Sequence, residues 1–566
     1  MINVRIRPYD KIAYQRLVAS GITPLMSRLY AARGITSPDQ MDCSFAALLP
    51  FSQLKNCETM AARLADAIQN HQRLLLIADY DADGATACAV AMEGLSKMGA
   101  RVEFMVPNRF KYGYGLTAQI VEYAAQKNPN IIITLDNGIS SFEGVARAHE
   151  LGIEVFITDH HLPGDALPNA LIVNPNQPGC LFPSKYLAGV GVIFYVLLAL
   201  RAELRARGAF SNQPVPNMAE LLDWVAIGTI SDVAQLDQNN RILVEQGLRH
   251  IRSGLCHIGT KALFAVAKKA IHCASAFDLS YAIGPRLNAA GRMDDMTTGI
   301  ACLLEQNAVH ASKLAEQLEQ LNNERRAVET AMQKDALQAV SLNTAYRCTL
   351  TLYDQNWHLG VVGILASRLK DRFYRPTIVF ALSEQGELCG SARSIAGFNI
   401  RHALDVVNQR QPGLLNRFGG HDMAAGLSIA PEDLTYFSDL FERVAKEQLN
   451  EALLTRYYDT DGHLDNQDML FNVAKQLEQQ VWGRGFEAPF FYDCFTVDSQ
   501  QLVADKHLKL ILKKHAETFE GMLFHATHPL PDCIHAVYQL IPNTWRNQKS
   551  VQLYIKHWVA PDLNSR

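Results

Sequence analysis

The sequence holds no run of about 18 apolar residues, so no membrane-spanning helix is expected. Its eleven cysteines are scattered and none forms C-x-x-C. That argues against a disulfide framework or a thiolate zinc site, and for reduced thiols in a cytoplasm. Positive charge is not in excess either: 53 Lys and Arg stand against 57 Asp and Glu, for a net charge of −4. No global basic field recruits nucleic acid, so any such contact must come from local grooves. The opening stretch Met1–Tyr9 carries charges but no apolar core, and secretion is not expected. Internal repeats and low-complexity tracts are absent. What is there is a globular composition, 48% hydrophobic over 566 residues. That length accommodates several domains of ~150 residues.

One stretch organises the rest: Leu74-Leu75-Leu76-Ile77-Ala78, then Asp79-Tyr80-Asp81-Ala82-Asp83-Gly84. A short apolar run fits a buried strand, and the Gly with its small neighbours fits a helix start. In extended chain, residues two apart point the same way, so Asp79, Asp81 and Asp83 can present three carboxylates on one side. Carboxylates that close repel unless they are protonated or neutralised. A divalent cation is the natural neutraliser. Taken alone, the stretch fits an Asp-rich turn equally well.

From about residue 70 to 235, apolar runs alternate with helical patterns, which implies a parallel sheet with crossover helices. Leu74–Asp79, Val102–Pro107, Ile131–Asp136, Glu154–Asp159 and Leu171–Pro175 read as the strands. Ligands of such sheets sit outside the carboxyl ends of the strands. Polar residues gather there: Asp79, Asp81 and Asp83, then Asp136-Asn137-Gly138, then Asp159-His160-His161. A further acid, Asp232, follows Ile227-Gly228-Thr229-Ile230-Ser231. One acidic loop is weak evidence; several that one fold brings together are strong. An oxygen-rich set with one His suits Mn²⁺ or Mg²⁺ better than structural zinc.

These segments resemble the four signature motifs of the DHH phosphoesterase superfamily. Ile283-Gly284-Pro285-Arg286-Leu287-Asn288-Ala289-Ala290-Gly291-Arg292, Trp357-His358 with Gly360-Val361-Val362-Gly363-Ile364, Gly390-Ser391-Ala392-Arg393-Ser394 and Gly419-Gly420-His421 narrow the resemblance to the RecJ family. It covers nearly the whole chain. It implies two Mn²⁺ or Mg²⁺ ions held by Asp81, Asp83, Asp136, His160 and Asp232, with Asp136 bridging. Sister families place a ligating His where Ile77 stands, so Asp79 or water is expected to take its role. His161 is expected on the scissile phosphate and Asp159 behind a histidine. Arg109, Arg286, Asn288, Arg292, Ser391, Arg393, Gly420 and His421 are expected to bind substrate, with Arg109 and Arg393 on the 5′-phosphate.

The implied architecture is α/β. An N-terminal helical and loop segment (1–60) precedes a parallel-sheet DHH catalytic domain (61–240). A helical region with a long connecting helix follows (241–345), then an α/β DHH-associated domain (346–455) and an OB-like barrel (456–566). The segment Gly284–Arg292 reads as a loop near phosphate. Lys506, Lys509, Lys513 and Lys514 read as positive charge along the barrel, where aromatics and lysines suit a single strand. The Trp482 loop departs from the family's usual form.

The implied activity is 5′-to-3′ exonucleolytic cleavage of single-stranded DNA to 5′-mononucleotides, in recombination and repair. The expected setting is a cytoplasmic monomer working with single-strand-binding protein and a RecQ-type helicase. Two rivals remain at this stage. One is a DHH oligoribonuclease or cyclic-dinucleotide phosphodiesterase, which has no need of a strand-tracking barrel. The other is a DNA-binding scaffold without catalysis, which has no need of the acids.

Overall fold

The computed structural model describes residues 3–107, 115–341, 347–545 and 548–561. The chain forms two compact units, one built from Ile6–Leu321 and from Asp459 onward, the other from Met1–Arg5 and Asn322–Tyr458. Strand β1 (Asn3–Ile6) opens the chain, followed by helices α1 (Lys11–Ala19), α2 (Pro24–Ala31) and α3 (Cys57–Gln69). Next come β2 (Arg73–Ala78), helix α4 (Ala82–Lys97), β3 (Arg101–Met105), β4 (Ile131–Leu135), β5 (Glu154–Thr158) and β6 (Leu171–Val173). The five strands form one sheet in the order β3-β2-β4-β5-β6, parallel throughout. Buried apolar runs such as Ile131–Leu135 are what a sheet covered on both faces requires.

Register carries function here. Ala78 pairs with Leu135, and Leu135 with Thr158, so three strands end level. The ladder runs one residue further: Asp79 N–H donates to Leu135 O, Asp136 N–H to Thr158 O, and Asp159 N–H to Val173 O. Three acids therefore emerge side by side. Asp232 arrives differently, at the C-terminal end of the buried helix Leu222–Ser231 rather than from the sheet.

The region after the sheet is helical. Gly284–Arg292 is not a loop: Gly284–Met293 is an α-helix that continues a single π turn, Leu279–Ile283. Pro285 lies in the first turn, where its missing N–H costs nothing. Leu287 and Ala290 are buried on the apolar face. The long helix spans Ala308–Ser341. Its Arg325 is buried and pairs with Glu329 at 2.9 Å.

Away from the sheet's active edge, His257 stacks on Trp224 with ring centroids 3.6 Å apart. Its Nδ1 lies 2.8 Å from Asp223 Oδ1 and its Nε2 3.3 Å from Glu93 Oε1. Burial opposes its charge, but the Asp223 and Glu93 bonds outweigh that and raise its pKa to about 9. A raised folded-state pKa stabilises below the unfolded value and is lost as pH climbs through the folded one. His257→Gln should therefore destabilise the chain by roughly 2–3 kcal/mol near pH 6 and by little at pH 10. Urea titrations at the two pH values check this; a deficit independent of pH would mean packing against Trp224 is all that His257 contributes.

The second unit holds β7 (Leu350–Tyr353), β8 (Thr377–Leu382), β9 (Leu388–Arg393), β10 (Arg417–Gly420) and β11 (Ala424–Ile429), in the order β10-β11-β9-β8-β7. Only β7 and β8 run parallel. Phe380, Phe437 and Phe441 sit in its core. Strand β9 pairs on both sides, so the backbone N–H groups of Gly390–Arg393 serve the ladders.

After β12 (Tyr457–Thr460) the chain builds a closed barrel. Its strands are β13 (Phe491–Val503), β14 (His507–Lys514), β15 (Glu517–Phe524), β16 (Cys533–Trp545) and β17 (Gln548–Val559), in the order β13-β14-β15-β17-β16. Phe491, Phe495, Leu510 and Tyr538 belong to the same buried cluster as Leu76, Phe194 and Trp224. The barrel thus shares a core with the parallel-sheet body. The lysine stripe is largely neutralised: Lys509 pairs with Glu520, Lys513 with Asp498, and the buried Lys514 with Asp493. Among the described residues no helix is long and apolar enough to cross a membrane, and all eleven cysteines are free thiols.

Candidate metal centre

Asp81 caps α4. Its Oδ1 accepts from Asp83 N–H at 2.9 Å and Gly84 N–H at 3.0 Å. Asp83, in the first turn, accepts from Gly189 N–H at 2.6 Å and Val190 N–H at 2.9 Å, the start of the helix Gly189–Ala206. A carboxylate there gains from the dipole and from otherwise unpaired donors. Each carboxylate has lone pairs left for a cation. Ile77, at the position where sister families carry a His, is buried in the sheet core, while Asp79 lies close to Asp81 and Asp136.

Three groups of ligand atoms converge: Asp79, Asp81 and Asp136; Asp83, His160 and Asp232; and Asp136, His160 and His161. Within each group the atoms lie within 4.8 Å of one another. Asp136 and His160 each belong to two groups, the arrangement of shared ligands between neighbouring ions. His160 Nε2 is buried and sits 3.0 Å from Asp136 Oδ1 without hydrogen-bond geometry to it, as two ligands of one cation do. This donor set fits Mn²⁺ or Mg²⁺.

The electrostatics agree. Burial, then the charge of Asp232, pushes Asp83 up to about 7. Burial, then Asp83 and Asp81, raises Asp136. Burial also raises Asp232, against the pull of His160. These acids hold one another's protons until cations replace them. Burial alone would lower His160, yet Asp232 and Asp83 raise it.

Behind the ligands stands Asp159, wholly buried. Its Oδ2 accepts from Ile139 N–H, and its Oδ1 accepts from His160 N–H, His161 N–H and, at 2.7 Å, His161 Nδ1. Burial would raise this carboxyl, but the His161 bond and charge hold it down. The same bond outweighs burial at His161 and lifts it to about 9. His161 thus keeps Nδ1–H on Asp159 and turns Nε2 toward the site.

Several supporting residues carry no motif signal. Asn174 and Asn176 donate to His161 O at 2.9 Å and His160 O at 2.7 Å, fixing the DHH turn. Two Asn flanking Pro175 at the end of β6 are the sequence feature that marks them. At Gly189 a Cβ would come within 2.5 Å of the Asp136 side chain. Gly189→Ala should therefore lower activity about tenfold or more by displacing Asp136. Unchanged turnover at saturating Mn²⁺ would show that the centre absorbs the shift.

The substrate residues expected from the sequence divide. Arg286 is buried, donates to Ala282 O and pairs with Glu319 at 2.6 Å, bracing two helices. Asn288 Oδ1 accepts from Ala82 N–H at 2.9 Å and so holds the acidic turn. Arg292, in the last turn of the same helix, is half-buried. In the second unit, Arg393 donates to Ser391 Oγ at 2.9 Å, and both lie against Gly363 at the start of the helix Val362–Phe373. Gly420 and His421 are exposed at the β10–β11 turn. Arg109 lies outside the described residues.

Three family models match in chain order: "DHH family, N-terminal domain" over residues 73–229, "DHHA1 domain" over 345–447 and "RecJ OB domain" over 460–557. The single-stranded-DNA-specific exonuclease RecJ of Escherichia coli is 43% identical over 98% of this chain and 98% of its own length. The chain belongs to the RecJ family. The Bacillus subtilis RecJ is 33% identical over 96% of this chain and 70% of its own length. The fold agrees with a solved structure, RecJ of Thermus thermophilus in complex with Mn²⁺, at a TM-score of 0.82 and 27% identity. That match covers 99% of this chain and 79% of the other. The same protein with Mg²⁺ gives a TM-score of 0.77 at 25% identity, over 99% of this chain and 78% of that one.

Proposed function

We propose that this RecJ-family chain is a metal-dependent exonuclease that removes 5′-mononucleotides from the 5′ end of single-stranded DNA. The observation that carries the reading is the set of three ligand groups joined through Asp136 and His160. A phosphodiester resists hydrolysis because its anionic oxygens repel a nucleophile and its alkoxide leaves poorly. Two Mn²⁺ or Mg²⁺ ions supply the activated water and the Lewis acidity that overcome both. The chain's residues do the rest. Asp81, Asp83, Asp136, His160 and Asp232 would hold the ions, with Asp79 in the place of the missing His. Asp159 orients His161, whose raised pKa keeps a proton for a phosphate oxygen. Ser391 and Arg393 form an anion cradle within their own unit that suits a 5′-phosphate. The protein acts in the cytoplasm as a monomer, on strands supplied by a RecQ-type helicase and covered by single-strand-binding protein.

The test uses one oligonucleotide labelled at either end, with Mn²⁺, Mg²⁺ or a chelator. Mononucleotide release from the 5′ label, abolished by chelation and restored by Mn²⁺, is expected. Degradation starting at the 3′ end, or equal cleavage of duplex, would overturn the reading.

A further inference from the structure

Residues 482–486, Trp-Gly-Arg-Gly-Phe, lead into the barrel but pack on Gln235 and Leu236, the stretch that follows Asp232. Gly483 and Phe486 exchange two backbone bonds, N–H to O at 3.0 and 3.1 Å, so Arg484 and Gly485 form the tip of a tight turn. Gly485 has φ +74°, which such a tip requires. The turn is anchored firmly. Phe486 is buried, stacks on Trp482 at 5.2 Å and lies under the Arg241 guanidinium at 4.2 Å. Leu236 N–H donates to Arg484 O at 2.8 Å, four residues past the ligand Asp232. The Arg484 side chain is exposed and makes no hydrogen bond or ion pair among the described residues. The glycines beside it close on the segment that follows Asp232: a Cβ at Gly485 would lie 2.6 Å from Gln235 Cγ, and one at Gly483 2.6 Å from Leu236 Cδ1.

A rigid turn thus holds an unpaired guanidinium beside the segment that follows the ligand Asp232. A fixed cation there is repelled by the divalent ions the acids would bind, so it serves neither the ions nor the fold. What it matches is an anion that arrives later. A guanidinium takes phosphate oxygens through paired N–H donors, and pre-anchoring its backbone spares ordering entropy on binding. We propose that Arg484 is a substrate-binding residue, contacting a backbone phosphate of the single strand beside the scissile bond. This rests on the exonuclease reading above and adds a contact from the barrel-side loop.

The experiment compares the unmodified chain with Arg484→Gln and Arg484→Lys on a 5′-phosphorylated single-stranded oligonucleotide with Mn²⁺. For Arg484→Gln, KM should rise about tenfold with kcat changed less than about twofold, and Arg484→Lys should recover most of the loss. The slope of log(kcat/KM) against log[NaCl] should become shallower by about 0.7, the signature of one lost phosphate contact on a single strand. Mn²⁺ affinity, read by electron paramagnetic resonance of the free ion, and melting temperature should not move. An unchanged KM and salt slope overturns the assignment. If Mn²⁺ affinity changes instead, Arg484 only balances Asp232. If the unmodified chain degrades no single strand at all, the exonuclease reading fails and this contact with it. Normal degradation with an indifferent variant removes Arg484 alone.

Discussion

Asp136→Asn should lower kcat/KM on single-stranded DNA about a thousandfold or more, equivalent to ~4 kcal/mol of lost transition-state stabilisation. Asp136 stands in two of the three ligand groups, so its loss weakens both ion positions at once. Asn is the informative replacement. The residue has φ +62°, in the left-handed region that Asn tolerates and Ala does not. Asn also keeps the shape that fits against Gly189. Without metal the variant should melt no lower than the unmodified chain. Burial and the charges of Asp83 and Asp81 already favour a neutral group at this position, so removing the charge relieves repulsion. The measurements are turnover with saturating Mn²⁺, the number of Mn²⁺ bound, and the melting temperature in chelator. Activity above a tenth of normal would sink the two-ion assignment.

Much of this centre is legible in the sequence because strand order and spacing carry it. Asp79, Asp136 and Asp159 follow apolar runs of similar length, and parallel pairing in register brings their ends level. Asp232 is readable only through its motif, since Leu222–Ile230 is buried throughout and shows no amphipathic period. What the sequence does not show are partners remote along the chain. Arg286 looks like a phosphate ligand until Glu319, on another helix, takes its charge. Lys514 looks like part of a DNA track until Asp493, on the neighbouring strand, meets it. The Gly284–Met293 helix was obscured by Gly and Pro at its start, residues that punctuate loops and begin helices alike. The Trp482 turn makes the same point in reverse: only the fold places Arg484 near Asp232.

The barrel's attachment yields the last large effect. Asp461→Ala should destabilise the unit by ~3–5 kcal/mol, because it strands a buried cation. Arg33 and Asp461 are each only 1% exposed in their side chains. They form a two-pronged pair, Nη1 to Oδ1 at 2.9 Å and Nη2 to Oδ2 at 3.0 Å. Arg33 also donates to Leu29 O, at the end of α2, and to Glu487 O, just before β13. Its guanidinium lies over the Trp482 ring at 5.1 Å. One side chain therefore ties the N-terminal helices to both ends of the segment that precedes the barrel. Breaking the pair leaves Arg33 charged with no counter-ion, whereas replacing both partners removes the cost of desolvating them. The double variant Arg33→Met with Asp461→Leu should therefore regain more than half the loss in urea denaturation. A single variant that costs under about 1 kcal/mol would mean Arg7, 3.6 Å from Asp461, marks a wetter and weaker junction than the burial implies. The same reasoning makes removal of the barrel a folding experiment before it is a binding one. Phe491, Phe495 and Tyr538 share their cluster with the sheet body, and cutting at Thr460 exposes that shared core.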